Sequence, residues 1–284
     1  MSPDFIRWAI MDMKIAIYTG KREAEADSAL HELWDELKAG GCRLCFLGEG
    51  EVPQEDTDML LSVGGDGTFL SASMLAASKD IPVMGVNLGR LGFLSENRPS
   101  SVAAAILSGE YTVESRAMLK ADVQTGNEAL DAWPYALNEF TVHRAGAAML
   151  EVEVTLDGVQ LPTYWADGLI VSTSSGSTAY SLSAGGPIAL PEARVLIVTP
   201  IAPHNLNVRP LVVPDSAQIV LRVHSRDENV VFTADNRTAL VPSDTEITIG
   251  VAQFSLKRVR LNRSNFIDAL TEKLFWGEDV RNIK

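Results

Sequence analysis

A chain of 284 residues is long enough to bury a full core in one large domain or two modest ones, and two are expected here. Its formal net charge of -13 argues against a general binder of nucleic acid or of anionic membranes, which would carry basic patches. An anionic substrate must then be met locally, by backbone amides, helix N-termini and a divalent cation rather than by a lysine cluster.

At the N-terminus the apolar residues Phe5 to Ile10 are interrupted by Arg7 and flanked by Asp4, Asp12 and Lys14, too broken for a signal peptide or a membrane span, so a cytoplasmic protein is expected. Residues 14–18 read as a strand. Leu30, Leu33, Trp34 and Leu37 then recur at helical spacing until Gly40-Gly41 ends the helix, and a second strand is predicted over 43–47. Cys42 and Cys45 form the only C-x-x-C spacing, without a second ligand pair, and are read as buried structural thiols; His31, His143 and His224 are scattered and make no metal constellation.

A third strand, 59–63, runs into Gly64-Gly65-Asp66-Gly67-Thr68, with a helix predicted over about 68–78 and a fourth strand over 82–87. Strands alternating with helices imply a parallel α/β sheet, in which ligands bind beyond the carboxyl ends of the strands, where Asp66 and Asn87 are placed. Three glycines around one carboxylate permit positive φ and close approach to a ligand, while the turn amides and the helix N-terminus face an anion. Tight turns without function share this composition. No Lys-Ser or Lys-Thr follows, so the turn is not a Walker loop, and it lacks the Gly-x-Gly-x-x-Gly fingerprint of dinucleotide-binding folds. Asn87 to Phe93 adds two more glycines and a cation, Arg90.

From about residue 119 short alternating runs take over. Val152, Val154 and Leu156 lead to Asp157-Gly158, a hairpin signal, and further strands are predicted at 169–171, 194–199, 217–223 and 245–249. A final amphipathic helix with Phe266, Ile267, Leu270 and Leu274 is expected to pack back on one of the domains. The fold class is thus an α/β N-terminal domain with a parallel sheet, residues 1–118 joined by the C-terminal helix 264–284, plus a β-rich domain, residues 119–263.

Within the β-rich half, Asp167 to Pro187 is dense in glycine and hydroxyls and carries Tyr180, a ring able to stack on a base. Gly64 to Thr68, Asn87 to Phe93, Leu137-Asn138-Glu139, Asp167 to Pro187 and Pro200 to His204 occur in that order, and together they resemble the NAD kinase family over about residues 14–276. The Gly-Gly-Asp-Gly-Thr turn is shared with diacylglycerol kinases and phosphofructokinases, whereas Gly176-Ser177-Thr178-Ala179-Tyr180 narrows the resemblance to NAD kinases.

The resemblance implies ATP-dependent phosphorylation of the 2′-hydroxyl on the adenosine ribose of NAD, in a cleft between the domains, with Asp66 as general base and magnesium carried by ATP. Gly64, Gly65, Gly67, Thr68 and Asn87 would meet phosphate. Asp66, Gly67, Asn138 and Glu139 would contact NAD, Asp167 would lie near its nicotinamide end, and Thr178, Ala179, Tyr180, Ser181, Leu182 and Ser183 would line the adenosine pocket, with Ala202 as a wall. A homodimer or homotetramer is also implied.

Three departures stand out: Thr173-Ser174-Ser175 where Thr-Pro-Thr is frequent, Ser71 where a basic residue is common, and Asp235-Asn236-Arg237 where Asp-Gly precedes Gln or Arg. Asn236 is expected to tolerate the positive φ of that turn, and Arg237 is a further candidate contact to NAD. The alternatives left open are a lipid kinase sharing the Gly-rich turn and a catalytically silent NAD or NADP sensor.

Overall fold

The structure, a computed structural model, describes residues 12–20, 27–89, 92–262 and 265–277. The apolar leader Phe5 to Ile10 and the cation Arg90 lie outside the described residues. By its contacts the chain divides into two compact units, Met1–Ser115 with Leu256–Lys284, and Arg116–Ser255.

The first unit begins with β1 (Lys14–Thr19), α1 (Ser28–Ala39), β2 (Arg43–Phe46), β3 (Met59–Val63), α2 (Asp66–Ala76), β4 (Val83–Val86) and α3 (Pro99–Ser108). Its strands pair in parallel in the order β4-β3-β1-β2. Helices α1 and α2 form the crossovers from β1 to β2 and from β3 to β4, and side chains of the middle strands are buried on both faces, as with Ile17 and Ala16 in β1 or Leu61 and Leu60 in β3. Asp27 caps α1 by accepting from the N–H groups of Ala29 and Leu30, and the predicted stripe of Leu30, Leu33, Trp34 and Leu37 is buried with Val102, Ala103 and Ile106 of α3.

The chain leaves β1 toward β2 on one side and returns through β3 on the other, so the order reverses between β1 and β3. Parallel sheets present their ligand crevice beyond the carboxyl ends of the strands at such a reversal. Gly20, just after β1, and Gly64, just after β3, both lie there against the side chain of Thr68.

Two expectations are corrected in this unit. Helix α2 starts at Asp66 rather than 68, because Gly65 takes an extended N-cap conformation and Phe69 N–H closes the first turn on the Gly65 carbonyl. Cys42 is buried, and burial pushes its thiol up, but Cys45 is exposed. It lies on β2, which pairs with β1 alone at the end of the sheet order, so a side chain there is not enclosed.

The long strand β5 (Tyr111–Asp122) leads into the second unit, which contains α4 (Glu128–Ala132), β6 (Tyr135–Ala136), β7 (Glu139–Arg144), β8 (Leu150–Leu156), β9 (Val159–Gln160), β10 (Tyr164–Ala166) and β11 (Gly168–Thr173). After a 3₁₀ turn at Ser175–Thr178 come α5 (Tyr180–Ser183), β12 (Val195–Ile201), β13 (Leu211–Pro214), β14 (Ile219–His224), β15 (Asn229–Ala234), β16 (Arg237–Pro242) and β17 (Glu246–Leu261).

One antiparallel sheet runs β13-β12-β11-β7-β15-β16; β10, β8, β14 and the first half of β17 pair antiparallel in a second. Alternate residues of both, such as Phe140, Val171 and Phe232 from one and Val152, Leu221 and Ile247 from the other, form one core, with Phe140 and Phe232 stacked at 5.4 Å between centroids. The predicted Asp157-Gly158 turn joins β8 to β9 with both residues at positive φ, 48° and 81°, as a two-residue hairpin requires. The last residues of β17 return to the first unit, where Arg258 pairs in parallel beside Val83 of β4. Helix α6 (Phe266–Leu274) belongs to the same unit, its Phe266 ring 6.1 Å from that of Phe93.

Candidate active site

In the first unit the Gly-rich turn places Asp66 in the first turn of α2, where the positive end of the helix dipole favours a carboxylate. Of its three glycines only Gly64 uses positive φ, at 148°, and a Cβ there would strike Thr68. Gly65 and Gly67 have ordinary φ and open space where a Cβ would stand, so they leave the first-turn N–H groups uncovered. Those N–H groups precede the first intrahelical acceptor, which leaves them available to an anion.

The Asp66 carboxylate faces the loop after β4. Oδ1 accepts from Leu94 N–H at 3.0 Å and Ser95 N–H at 2.8 Å, and Oδ2 from Phe93 N–H at 2.9 Å. A carboxylate offers about four lone-pair positions, so one on Oδ2 is left for a hydroxyl proton. Gly92 is needed for this approach, since a Cβ on it would overlap Asp66. Asn87, buried at the end of β4, donates from Nδ2 to Ser95 O at 3.4 Å and accepts Gly89 N–H at 2.8 Å. Ser71 lies on α2, its hydroxyl 3.3 Å from the Gly67 carbonyl. Lys273 of α6 donates to the Gly92 carbonyl and lies 4.8 Å from the Phe93 ring centroid.

In the second unit a buried corner forms where β6 passes into β7. Asp235, at φ 51°, accepts the N–H groups of Leu137 and Asn138 at 2.8 Å and of Glu139 at 3.2 Å, and its own N–H returns to Glu139 O. The positive φ of this turn thus falls on Asp235, not on Asn236 as expected, because the two-residue connection after the Ala234–Arg237 pair aims the Asp235 carboxylate back at the corner.

Asn138 and Glu139 are only 7% and 8% exposed. Burial, and then the neighbouring Asp235, push Glu139 up to about 8, only partly offset by the Tyr180 N–H. At neutral pH Glu139 therefore carries a proton and can donate a hydrogen bond, and its Oε2 has no partner among the described residues. Asp235 is itself pushed up by burial, opposed by the three N–H bonds and Arg237.

The hydroxyl-rich segment packs against that corner. Thr173 donates from Oγ1 to Leu137 O at 2.7 Å, and Gly176 approaches the Asn138 backbone so closely that a Cβ would collide with it. Thr178, Ala179, Tyr180, Leu182 and Ser183 follow on the 3₁₀ turn and α5, with Tyr180 39% exposed and its ring open to stacking. Ser181 is turned inward, its hydroxyl 2.8 Å from that of Thr199. Arg237 donates to the carbonyls of Trp133 and Tyr135, anchoring the Asp235 turn.

Asp167 and Ala202 lie elsewhere on the same sheet. Gly168 pairs with Ile201 and His143, whereas Ser172 pairs with Glu139, so Asp167 and Ala202 share one end and the Glu139 corner the other. Asp167 lies five residues before Ser172, the register partner of Glu139, which separates these ends by roughly 17 Å at about 3.3 Å per residue. Asp167 is ion-paired with Arg144 at 3.0 Å, and Ala202 takes positive φ, 45°, rare for alanine.

Among the described residues no group of three or more His, Cys, Asp or Glu side chains could cage a metal ion, and no helix is long and apolar enough to cross a membrane. Asp235 and Lys273 went unmarked as site residues in the sequence. The first carried a signal, as a carboxylate in a hairpin turn. The second, on a charged helix far along the chain, carried none.

Residues 137–261 match the ATP-NAD kinase C-terminal domain and residues 49–111 the ATP-NAD kinase N-terminal domain. The NAD kinase of Flavobacterium psychrophilum is 44% identical over 229 residues, covering 79% of this chain and 78% of that protein. That of Bacteroides fragilis is 38% identical over 291 residues, covering 95% and 100%. Among solved structures, an NAD kinase from Archaeoglobus fulgidus in complex with ATP matches with a TM-score of 0.73 and 28% identity over 92% of this chain and 98% of that one. Yeast NADH kinase complexed with NADH matches in fold with a TM-score of 0.82 and 24% identity over 96% and 91%.

Proposed function

The chain belongs to the NAD kinase family, and on that premise we propose that it transfers the γ-phosphoryl group of ATP to the 2′-hydroxyl of the adenosine ribose of NAD, giving NADP and ADP. The observation that carries the reading is the Asp66 carboxylate, held by three N–H groups with one lone-pair position spare, beside the uncovered N-terminus of α2. A solved NAD kinase of this fold holds ATP, and the curated relatives at 38–44% identity are NAD kinases, which supports ATP and NAD as the two substrates.

A secondary hydroxyl is a poor nucleophile at neutral pH, so the base must accept its proton as the oxygen attacks phosphorus. Asp66 takes that proton on Oδ2. Gly64, Gly65, Gly67, Thr68 and Asn87 shape the phosphate region, and the first-turn N–H groups of α2 meet charge that builds on the transferred group. Magnesium carried by the phosphates of ATP would lower their charge there. The described residues fit that division, since they offer a carboxylate and N–H groups but no cage of their own.

On the acceptor side, Asn138 and protonated Glu139 bond NAD, Tyr180 stacks on adenine, and Thr178, Ala179, Leu182 and Ser183 surround the adenosine, while the buried Ser181, bonded to Thr199, supports that segment from within instead of lining the pocket as expected, and Arg237 acts through the Asp235 turn. Asp167 and Ala202 take the nicotinamide end. Given their separation from Glu139, one NAD either spans the length of β11 or meets these two residues from a second copy of the chain, and the second arrangement would require the homodimer or homotetramer that the family resemblance implies. We place the enzyme in the cytoplasm. Purified protein with ATP, magnesium and NAD is expected to form NADP; no product above a no-enzyme control, with NAD binding intact, would refute the activity and leave a sensor.

A further inference from the structure

The loop from Gly92 to Ser95 is gripped by opposite charges on its two sides. Its N–H groups at Phe93, Leu94 and Ser95 point to the Asp66 carboxylate. Its carbonyls point to cations: Gly92 to Lys273, and Phe93 and Leu94 to Arg258, at 3.1 and 3.4 Å. Arg258 is 5% exposed and paired with Glu96 at 2.9 Å, a permanent charge locked into the first unit. Lys273 differs in both respects. It is half-buried, and an ammonium can lose its charge.

Phe266 and Lys273 are seven residues apart, two turns of one helix face, and the Phe93 ring meets both, at 6.1 Å from the Phe266 ring and 4.8 Å from Nζ. Helix α6 is thereby fastened to the loop at two points. One is apolar and the other is charged.

We propose that Lys273 is a positioning residue for phosphoryl transfer: bound to the Gly92 carbonyl and the Phe93 face, its ammonium holds the loop in register on Asp66 and keeps positive charge beside that carboxylate. The inference rests on Asp66 being the base. The charged groups facing Lys273 are Glu96 and Asp66 from the first unit's loops and α2, Arg258 from β17 and Glu272 beside it on α6. Burial pushes the ammonium below the ordinary lysine range, against the pull of Glu96 and Asp66. Its charge is then lost at a lower pH than for a solvated lysine. Arginine at the same place keeps its charge throughout.

The test compares wild type, Lys273→Met and Lys273→Arg in steady-state NADP formation across pH, with melting temperatures measured alongside. Lys273→Met is expected to lose about tenfold or more in kcat, as for a misplaced catalytic group, with KM for NAD within about twofold because NAD binding rests on the other unit's residues. Lys273→Arg is expected to recover most of kcat and to lack the decline with rising pH that is expected of wild type. A Lys273→Met protein with wild-type kcat overturns the proposal, as does an alkaline limb at the same pH in wild type and Lys273→Arg. The second comparison decides alone should Lys273→Met fail to fold. Wild-type protein that makes no NADP would refute the kinase reading; active wild type with an indifferent Lys273 would refute this inference only.

Discussion

Glu139→Gln isolates the cost of burying an ionisable group at the corner between β6 and β7. In the folded protein Glu139 is pushed from its ordinary 4.5 to about 8, first by burial and then by Asp235. Between those values the folded chain holds a proton that the unfolded chain has released. Stability therefore falls as pH rises, by about 1.4 kcal/mol per pH unit from this group. The contribution is fully present below pH 4.5, is lost progressively up to about 8, and is flat above. Integrated over that window it amounts to roughly 5 kcal/mol, an upper bound because Asp235 shares the titration.

Glutamine has the shape of the protonated acid and cannot ionise, so the variant should match wild type near pH 5 and exceed it by several kcal/mol at pH 8. Urea denaturation at half-unit pH steps measures the difference through the midpoint at constant slope. Parallel pH curves for the two proteins would refute the reasoning, for they would mean that Glu139 is already ionised in the fold at neutral pH.

Asp66→Asn should leave NAD affinity nearly unchanged in a calorimetric titration and lower kcat by at least about a hundredfold; unchanged turnover would remove Asp66 from the base role. The same variant turns an amide nitrogen toward one of the three loop N–H groups, so a stability loss of about 1 kcal/mol is expected in the same denaturation assay. Gly92→Ala should cost about 1–3 kcal/mol of stability and most of the turnover, since the added Cβ must displace Asp66 or its loop; a fully active, equally stable variant would contradict the close approach. Asn138→Ala should mainly weaken NAD binding, and equal affinity in a titration would contradict its placement against NAD.

Much of the fold was legible because it follows from local patterns. The helical stripe of α1, the parallel strands 14–18 and 59–63, and the Asp157-Gly158 hairpin each depend on residues within a few positions of one another. Helix α3 and the full length of β5 and β17 were not marked. Apolar runs such as Val102 to Leu107 do not by periodicity alone choose between helix and strand, and the strands near the unit boundary change neighbours partway along.

The residue types of the two constellations, and the family they indicate, were determined by the sequence alone. The tertiary structure decided what each side chain does. Asp66 reads the same in the chain whether it is solvated or held by the N–H groups of Phe93, Leu94 and Ser95, because those donors lie 27 to 29 residues away. Glu139 is an ordinary glutamate until Asp235, nearly a hundred residues later, closes the corner and burial holds the proton on it. The role proposed for Lys273 depends on α6 packing on the loop after β4. Hydrogen bonding and desolvation depend on which groups come within a few ångströms, and for distant segments only the folded chain specifies that.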